Sequence, residues 1–301
     1  MKIHFDKFTF FTFFSFLIVV IISTWLLLST YLTENCEDDV AISRGKVELV
    51  YVEWASEIAS TNVVRVLLEK LGFEVDLFSV SAAAMWQSVA SGDADGHVAA
   101  WLPTTHAHYY RALKDQVDNL GPNLEGTRIG LVVPTYVTLD SIEELNAYAD
   151  KFKGKIIGID PGAGLMSKTE TVIEQYNLNT FKLVEGSGAT MTAVLADAIK
   201  NKQWIVVTGW TPHWKFSRWQ LKYLKDSKGI YGDKEYIGTI VRKGLKEEMP
   251  EVYRVLDHFS WTAAEMQELM TMNQEKGSTP YENAKLWLKK NPERLEQWIS
   301  Q

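Results

Sequence analysis

The sequence predicts an α/β fold of two lobes, with a transmembrane or signal helix at the N-terminus. Strand-like and helix-like patterns alternate along residues 46–301, and this favours parallel sheets covered by helices. The alternation restarts near residue 155, which indicates a second lobe. With 301 residues, 46% of them apolar, the chain can bury a core in each lobe. Residues 8–32 differ, because these 25 positions carry no formal charge.

The N-terminal apolar segment is long enough to span a bilayer as a helix. Lysines precede it and acidic residues follow it, so the positive-inside rule predicts a cytoplasmic N-terminus and an extracytoplasmic body. Three interpretations of residues 1–36 remain open: an uncleaved signal anchor, a cleaved signal peptide, and a lipoprotein signal that ends at Cys36. All three place the rest of the chain at the extracytoplasmic face of the cell membrane.

The first series of elements contains alternating strands and helices that glycines terminate. Gly72 and Gly92 stand where two helical patterns stop, and Ser141 and Glu144 form a capping box that opens a third. The predicted strands are 46–52, 74–80, 96–101 and 127–134, and the predicted helices are 56–70, 82–91 and 141–152.

The second series repeats this order and ends in a helical region. Thr262 with Glu265 and Thr279 with Glu282 are capping boxes within it. The predicted strands are 155–160, 181–185, 204–209, 221–224 and 236–241, and the predicted helices are 165–176, 191–200 and several beyond residue 246.

Three tryptophans and one glycine-rich turn follow predicted strands. In sheets of this kind, ligands bind beyond the carboxyl ends of the strands. We therefore interpret Trp54, Trp101, Trp210 and the turn at residues 160–164 as one site. An indole face suits a cation that has no hydrogen to donate. The alternative is that these tryptophans belong to the core, as large apolar side chains commonly do.

Donors for an anion lie in two of the same loops. The imidazole of His106, five residues after Trp101, can donate a hydrogen bond. The turn at 160–164 opens a helix, so the N–H groups of Gly164 and Leu165 could point at a carboxylate near the positive end of the helix dipole. An ordinary strand-to-helix turn is the alternative interpretation of this motif.

Composition and motifs argue against several other functions. A net charge of −7 without a basic run gives no support for nucleic-acid binding. The single cysteine excludes an internal disulfide and a multi-cysteine metal site. No pattern suggests a nucleophile–base pair, a metal site or a cofactor, so we expect neither enzymatic activity nor a cofactor.

Five segments in order resemble the substrate-binding proteins of glycine betaine/proline betaine ABC transporters. They are YVEWASEIAST (51–61), AWLPTTH (100–106), GLVVP (130–134), GIDPGAG (158–164) and TGWTPHW (208–214). The resemblance implies a two-lobed type II periplasmic-binding-protein fold that closes on its ligand like a Venus flytrap. We expect residues 44–130 with 243–301 to form lobe 1, and residues 131–242 to form lobe 2.

The resemblance also implies roles for the site residues. A box of tryptophans would surround the trimethylammonium group, and two backbone amides with one histidine would hold the carboxylate. The matching positions are Trp54, Trp101 and Trp210 for the box, and Gly164, Leu165 and His106 for the carboxylate. The implied function is binding of glycine betaine, with proline betaine a further ligand, and delivery to the permease and ATPase subunits of an importer. A membrane-anchored binder or sensor of carnitine or choline is the alternative.

Overall fold

Nine strands and eleven α-helices lie within residues 44–299, the part of the chain that the computed structural model describes, and the last five helices follow one another without a strand between them. The strands are β1 Lys46–Tyr51, β2 Glu74–Ser79, β3 Gly96–Leu102, β4 Val117–Pro134, β5 Lys155–Ile157, β6 Lys182–Val184, β7 Val206–Thr211, β8 Leu221–Tyr223 and β9 Glu235–Arg242. The α-helices are α1 Ala55–Lys70, α2 Ala82–Ser91, α3 Ala107–Leu113, α4 Gly164–Gln175, α5 Gly188–Lys200, α6 Lys215–Arg218, α7 Leu245–Glu248, α8 Pro250–His258, α9 Ala263–Met272, α10 Pro280–Lys290 and α11 Pro292–Ile299.

The predicted N-terminal segment, residues 1–36 with Cys36, lies outside the described residues. From residue 44 to residue 299, no helix combines the length and the apolar character needed to cross a membrane.

The strands follow one another across the sheet in the order β2-β1-β3-β9-β4-β7-β5-β6, and β8 pairs with β4. The prediction of parallel pairing is right for β1 with β2 and β3, and for β5 with β6 and β7. It is wrong for β4, β8 and β9, whose described pairs are all antiparallel. The sheet is therefore mixed, with two parallel sections joined by antiparallel strands.

Strand β4 joins the two sections of the sheet. Its first part, from Val117 to Thr127, pairs with β9, and its last part, from Arg128 to Pro134, pairs with β7 and β8. The sequence predicts only 127–134, because the preceding stretch contains Gly121, Pro122 and Gly126 and looks like a turn. In the structure, register shifts along the β4–β9 pairing accommodate these residues, and both glycines have positive φ.

Strand β9 pairs with β3 on one side and with the first part of β4 on the other. It therefore lies in the section that contains β1 to β3, although the sequence-based boundary between residues 242 and 243 groups it with the second lobe. Arg242 at its end donates to Asp95 at 2.7 Å, and the same carboxylate accepts from the backbone of Glu48 at 2.8 Å. These contacts link β9 to β1 and to the loop that precedes β3.

Two of the three predicted capping boxes fall at the starts of α-helices, and one of these two forms both bonds. Thr262 and Glu265 exchange both bonds of the box at the start of α9. Thr279 accepts from the backbone of Glu282 at 3.3 Å at the start of α10. The third box, at Ser141, opens a 3₁₀ helix at Ile142–Phe152 instead of an α-helix. Long 3₁₀ helices are uncommon, and this segment is interrupted at Tyr148, whose backbone is not helical.

The tryptophans beyond residue 260 belong to the core and stand apart from the predicted site. Trp287 is fully buried, and its ring stacks with that of Trp298 at 6.2 Å between centroids. Trp261 meets the edge of Trp287 at 6.1 Å, and Glu268 accepts from the Trp287 indole at 3.0 Å. This cluster fixes α9, α10 and α11 against one another.

We predict that Trp287→Ala lowers the free energy of unfolding by about 3–5 kcal/mol, because a large buried ring is removed and the site relaxes only partly. Urea unfolding of the full-length chain measures this loss. Leu286→Ala, a change at an exposed neighbour on the same helix, is the control and should alter the free energy by no more than about 0.5 kcal/mol. Equal effects of the two substitutions would contradict a structural role for this cluster.

Candidate ligand-binding site

One cavity is lined by all six residues that the sequence predicts for ligand binding. They are Trp54, Trp101, Trp210, His106, Gly164 and Leu165. Further lining residues, which the sequence analysis did not single out, are Thr105, Ile129, Ile159 and Ala163. The structure thus brings the four loops together around a mostly apolar space.

The ring of His106 is fully buried, and its hydrogen bonds define its tautomer. Nδ1 accepts from the backbone N–H of Trp101 at 3.2 Å and lies 3.4 Å from the indole nitrogen of Trp86. A nitrogen that accepts carries no hydrogen, so in the neutral ring the hydrogen is on Nε2. Nε2 has no partner within the described residues and is free to donate. Burial lowers the pKa of His106 to about 3, so the ring stays neutral at physiological pH.

Hydrogen bonds within the turn from Trp101 to His106 close it, and the side chain of Glu235 binds its backbone. His106 donates its backbone N–H to the carbonyl of Trp101 at 2.8 Å. Glu235, at the start of β9, accepts the backbone N–H groups of Thr104 at 2.7 Å and Thr105 at 2.6 Å, and also the Thr105 hydroxyl. Glu235 therefore positions the loop, and local sequence gives no signal of this because more than 120 residues separate the partners.

Helix α4 starts at the cavity, and its first N–H groups are those of Gly164 and Leu165. The first turn of a helix has no backbone carbonyl of its own to accept these hydrogens. A side chain cannot replace glycine here, since a Cβ on Gly164 would lie 2.2 Å from the carbonyl oxygen of Thr105. The close approach of these two loops brings the amides and His106 to the same cavity.

The three indoles differ in what their N–H groups contact. Trp54 donates to Asp160 at 2.7 Å, and Trp101 donates to Glu57 at 2.9 Å. The N–H group of Trp210 is buried without a partner in the described part of the chain. Carboxylates therefore fix two of the indole rings, Trp54 and Trp101, whereas the indole N–H of Trp210 has no such contact within residues 44–299.

Glu57 is a buried acid directly behind one wall. It is fully buried in the first turn of α1, and its second carboxylate oxygen has no hydrogen-bond partner among residues 44–299. Burial raises its pKa to about 7, although the bonds from Trp101 and Ser56 oppose this shift.

The cavity therefore offers two kinds of surface. Aromatic faces suit a cation without hydrogens to donate, and unpartnered N–H groups near a helix N-terminus suit an anion. The described residues contain no group of three or more His, Cys, Asp or Glu side chains placed to hold a metal ion.

A profile of the family described as the substrate-binding domain of ABC-type glycine betaine transport systems (OpuAC) matches residues 45–290. The glycine betaine/carnitine transport binding protein GbuC of Listeria monocytogenes is 50% identical over 145 residues, which are 48% of each chain. The chain thus matches about half the length of that relative.

Two solved structures cover most of the described residues. Lactococcal OpuAC, in its closed-liganded conformation with glycine betaine, is 47% identical with a TM-score of 0.81, over 85% of this chain and 99% of that chain. An ABC-transporter choline-binding protein in complex with choline is 28% identical with a TM-score of 0.80, over 85% of this chain and 91% of that chain.

The family and fold predicted from the sequence motifs are confirmed at the level of an α/β periplasmic-binding-protein-like fold. Domains of this family are binding components of transporters rather than enzymes, and they act on the extracytoplasmic side. The chain belongs to the family of substrate-binding domains of ABC-type glycine betaine transport systems.

Proposed function

We propose that this domain binds glycine betaine, or a closely related betaine, and delivers it to the permease and ATPase subunits of an ABC importer for osmoprotectant uptake. The observation that carries the proposal is one cavity that brings together three indoles, the first two amides of α4, and a His106 Nε2 without a partner among the described residues. The trimethylammonium group would contact the faces of Trp54, Trp101 and Trp210. The carboxylate would accept from His106 Nε2 and from the amides of Gly164 and Leu165.

The magnitudes are sufficient for useful affinity. Each indole face contributes roughly 0.5–2 kcal/mol to holding a cation, with the larger value in a desolvated site. A hydrogen bond to a charged group contributes about 1.5–3 kcal/mol. Micromolar binding needs about 8 kcal/mol, and three faces with three charge-assisted donors reach this range.

The donor set favours betaines over choline. Choline has the same trimethylammonium group but carries a hydroxyl in place of the carboxylate, so it would leave most of the N–H groups without an anionic acceptor. His106 contributes its donor in the neutral form, and the hydrogen on Nε2 is present across physiological pH. Carnitine and proline betaine carry both charges and remain candidate ligands, whereas a choline binder or sensor is the second proposal.

We further propose that the domain is a two-lobed clamp of the type II class. The lobes divide where strand pairing changes, so that residues 44–127 with 235–299 face residues 128–234. In this proposed division β9 belongs to lobe 1, whereas the sequence-based division assigned it to lobe 2; its pairing with β3 and with the first part of β4 supports the change. Trp54 donates to Asp160 across this division, and Tyr109 donates to the carbonyl of Gly162 at 3.0 Å. A ligand that contacts both lobes would favour the closed state by its differential contacts.

The mode of membrane attachment is proposed from the N-terminal sequence. Residues 1–36 would serve as a signal anchor, a signal peptide or a lipoprotein signal ending at Cys36. Each would place the binding domain next to the importer on the outer side of the membrane.

We predict that His106→Asn weakens binding of glycine betaine about 10- to 100-fold, because one hydrogen bond to a carboxylate is lost. The asparagine oxygen can replace Nδ1 as acceptor for the backbone of Trp101, so the turn should survive. Choline should lose far less affinity, because it has no carboxylate. Calorimetry of the full-length chain with both ligands measures the two dissociation constants.

His108→Ala is the matched control for this substitution, since His108 is exposed and does not line the cavity. It should leave both affinities unchanged. Equal losses of affinity for glycine betaine and for choline in the His106 variant would mean that His106 does not donate to the carboxylate. Failure of the unaltered chain to bind either ligand would overturn the proposed function.

We predict that saturating glycine betaine reduces the radius of gyration of residues 37–301 in small-angle scattering, because contacts to both lobes stabilise closure. Asp160→Ala removes the acceptor of the Trp54 indole and should make the compaction require a higher ligand concentration. Glycine at the same concentration is the control, since it lacks the trimethylammonium group. An unchanged radius at saturation would count against the clamp.

A further inference from the structure

Lys215 is a fully buried lysine directly behind one wall of the cavity. Its ammonium lies 4.4 Å from the ring centroid of Trp210 and 5.5 Å from that of Phe216. Trp210 lines the cavity and Lys215 does not, so the ammonium lies against the indole from outside the cavity. Nζ has no hydrogen-bond partner within the described residues.

No described carboxylate pairs with this lysine, since every described salt bridge involves other side chains. The nearby titratable group is His213, which is buried and whose Nδ1 accepts from the backbone of Lys215 at 3.0 Å. Burial and the charge of Lys215 both lower the pKa of His213, so it stays neutral. Arg218, on the same helix, lies over Trp214 and Trp219 instead. The residue of β7 next to Nζ is Gly209, which has no side chain that could pair with the ammonium.

We propose that Lys215 is a specificity-determining residue that acts through Trp210 and disfavours ligands with a net positive charge. This inference rests on the proposed function, because it assumes that a quaternary ammonium group lies against the cavity side of Trp210. Two cations on opposite faces of one ring repel each other. A zwitterion suffers less, since its carboxylate attracts the same lysine.

The size of the effect follows from Coulomb's law. The Lys215 ammonium and a ligand cation, each about 4.5 Å from the Trp210 ring, lie about 9 Å apart. With an effective dielectric constant of about 20, their repulsion corresponds to roughly a 20-fold loss of affinity. For a zwitterion, whose carboxylate lies about 4 Å farther from Nζ, the attraction of the carboxylate reduces the loss of affinity to about threefold. Deprotonation of Lys215 removes the repulsion, so the free energy of this deprotonation sets an upper limit on the loss of affinity.

Burial lowers the pKa of Lys215 to about 7. The ammonium therefore predominates at pH 6 and the neutral amine at pH 8.5. At pH 6, deprotonation costs about tenfold in affinity, so the penalty for choline cannot exceed about tenfold. The penalty is lost as the pH rises above the pKa of the lysine, and ligand binding near pH 7 should release a proton from it.

The test compares the full-length chain with Lys215→Met in calorimetry with choline and glycine betaine at pH 6 and pH 8.5. Methionine fills a similar volume without the charge. At pH 6 we expect the variant to bind choline about tenfold more tightly than the unaltered chain does, and glycine betaine about threefold more tightly. At pH 8.5 the two proteins should bind each ligand equally. Lys215→Gln is a second neutral variant for use if the first fails to fold.

Lys246→Met is the matched control, because it removes one positive charge from an exposed lysine that lies 5.3 Å from the ring centroid of Tyr253. It should change neither affinity. Glu57, behind Trp101, also titrates near pH 7, so the decisive quantity is the difference between the variant and the unaltered chain at each pH. Equal gains for choline and glycine betaine, or no gain at pH 6, would overturn the role of Lys215 and leave the proposed function intact. Absence of binding to the unaltered chain would overturn both.

Discussion

The hydrogen bond from the backbone of Trp101 to Nδ1 of His106 is the interaction on which the site depends. It closes the turn that carries an aromatic wall and an N–H donor, and it sets the tautomer that leaves Nε2–H free. Because the ring is buried and neutral, this donor does not depend on protonation within the physiological pH range. Glu235 holds the same turn from β9, so the sheet fixes the position of the donor.

The walls of the cavity are chemically unequal although all three are indoles. Carboxylates accept from two of them, Trp54 and Trp101, whereas an ammonium without a partner among residues 44–299 lies over the third. A negative charge behind an indole favours a cation in front of it, and a positive charge opposes it. In the proposed function, the affinity of this cavity for a cation therefore also depends on charged groups that do not line it. Asp160 also lies in the turn that opens α4, so one residue links an aromatic wall to the loop that carries the amide donors.

Local patterns predicted most elements and six of the ten residues that line the cavity, because strand ends and short motifs are visible along the chain. They missed the first part of β4, where Gly121 and Pro122 look like a turn but pair with β9 through register shifts. The supporting residues Glu57 and Glu235 were also missed, since a carboxylate in a sequence gives no sign that folding will bury it against a distant loop. For Lys215 the expectation from residue type is exposure, and only the tertiary structure shows its burial behind Trp210.

A crystal structure of the domain with glycine betaine tests the central claim most directly. We expect the methyl groups against the faces of Trp54, Trp101 and Trp210. One carboxylate oxygen should lie about 2.7–3.2 Å from His106 Nε2, with the carboxylate also within hydrogen-bond distance of the N–H groups of Gly164 and Leu165. A betaine bound in the opposite orientation, or bound outside this cavity, would contradict the account.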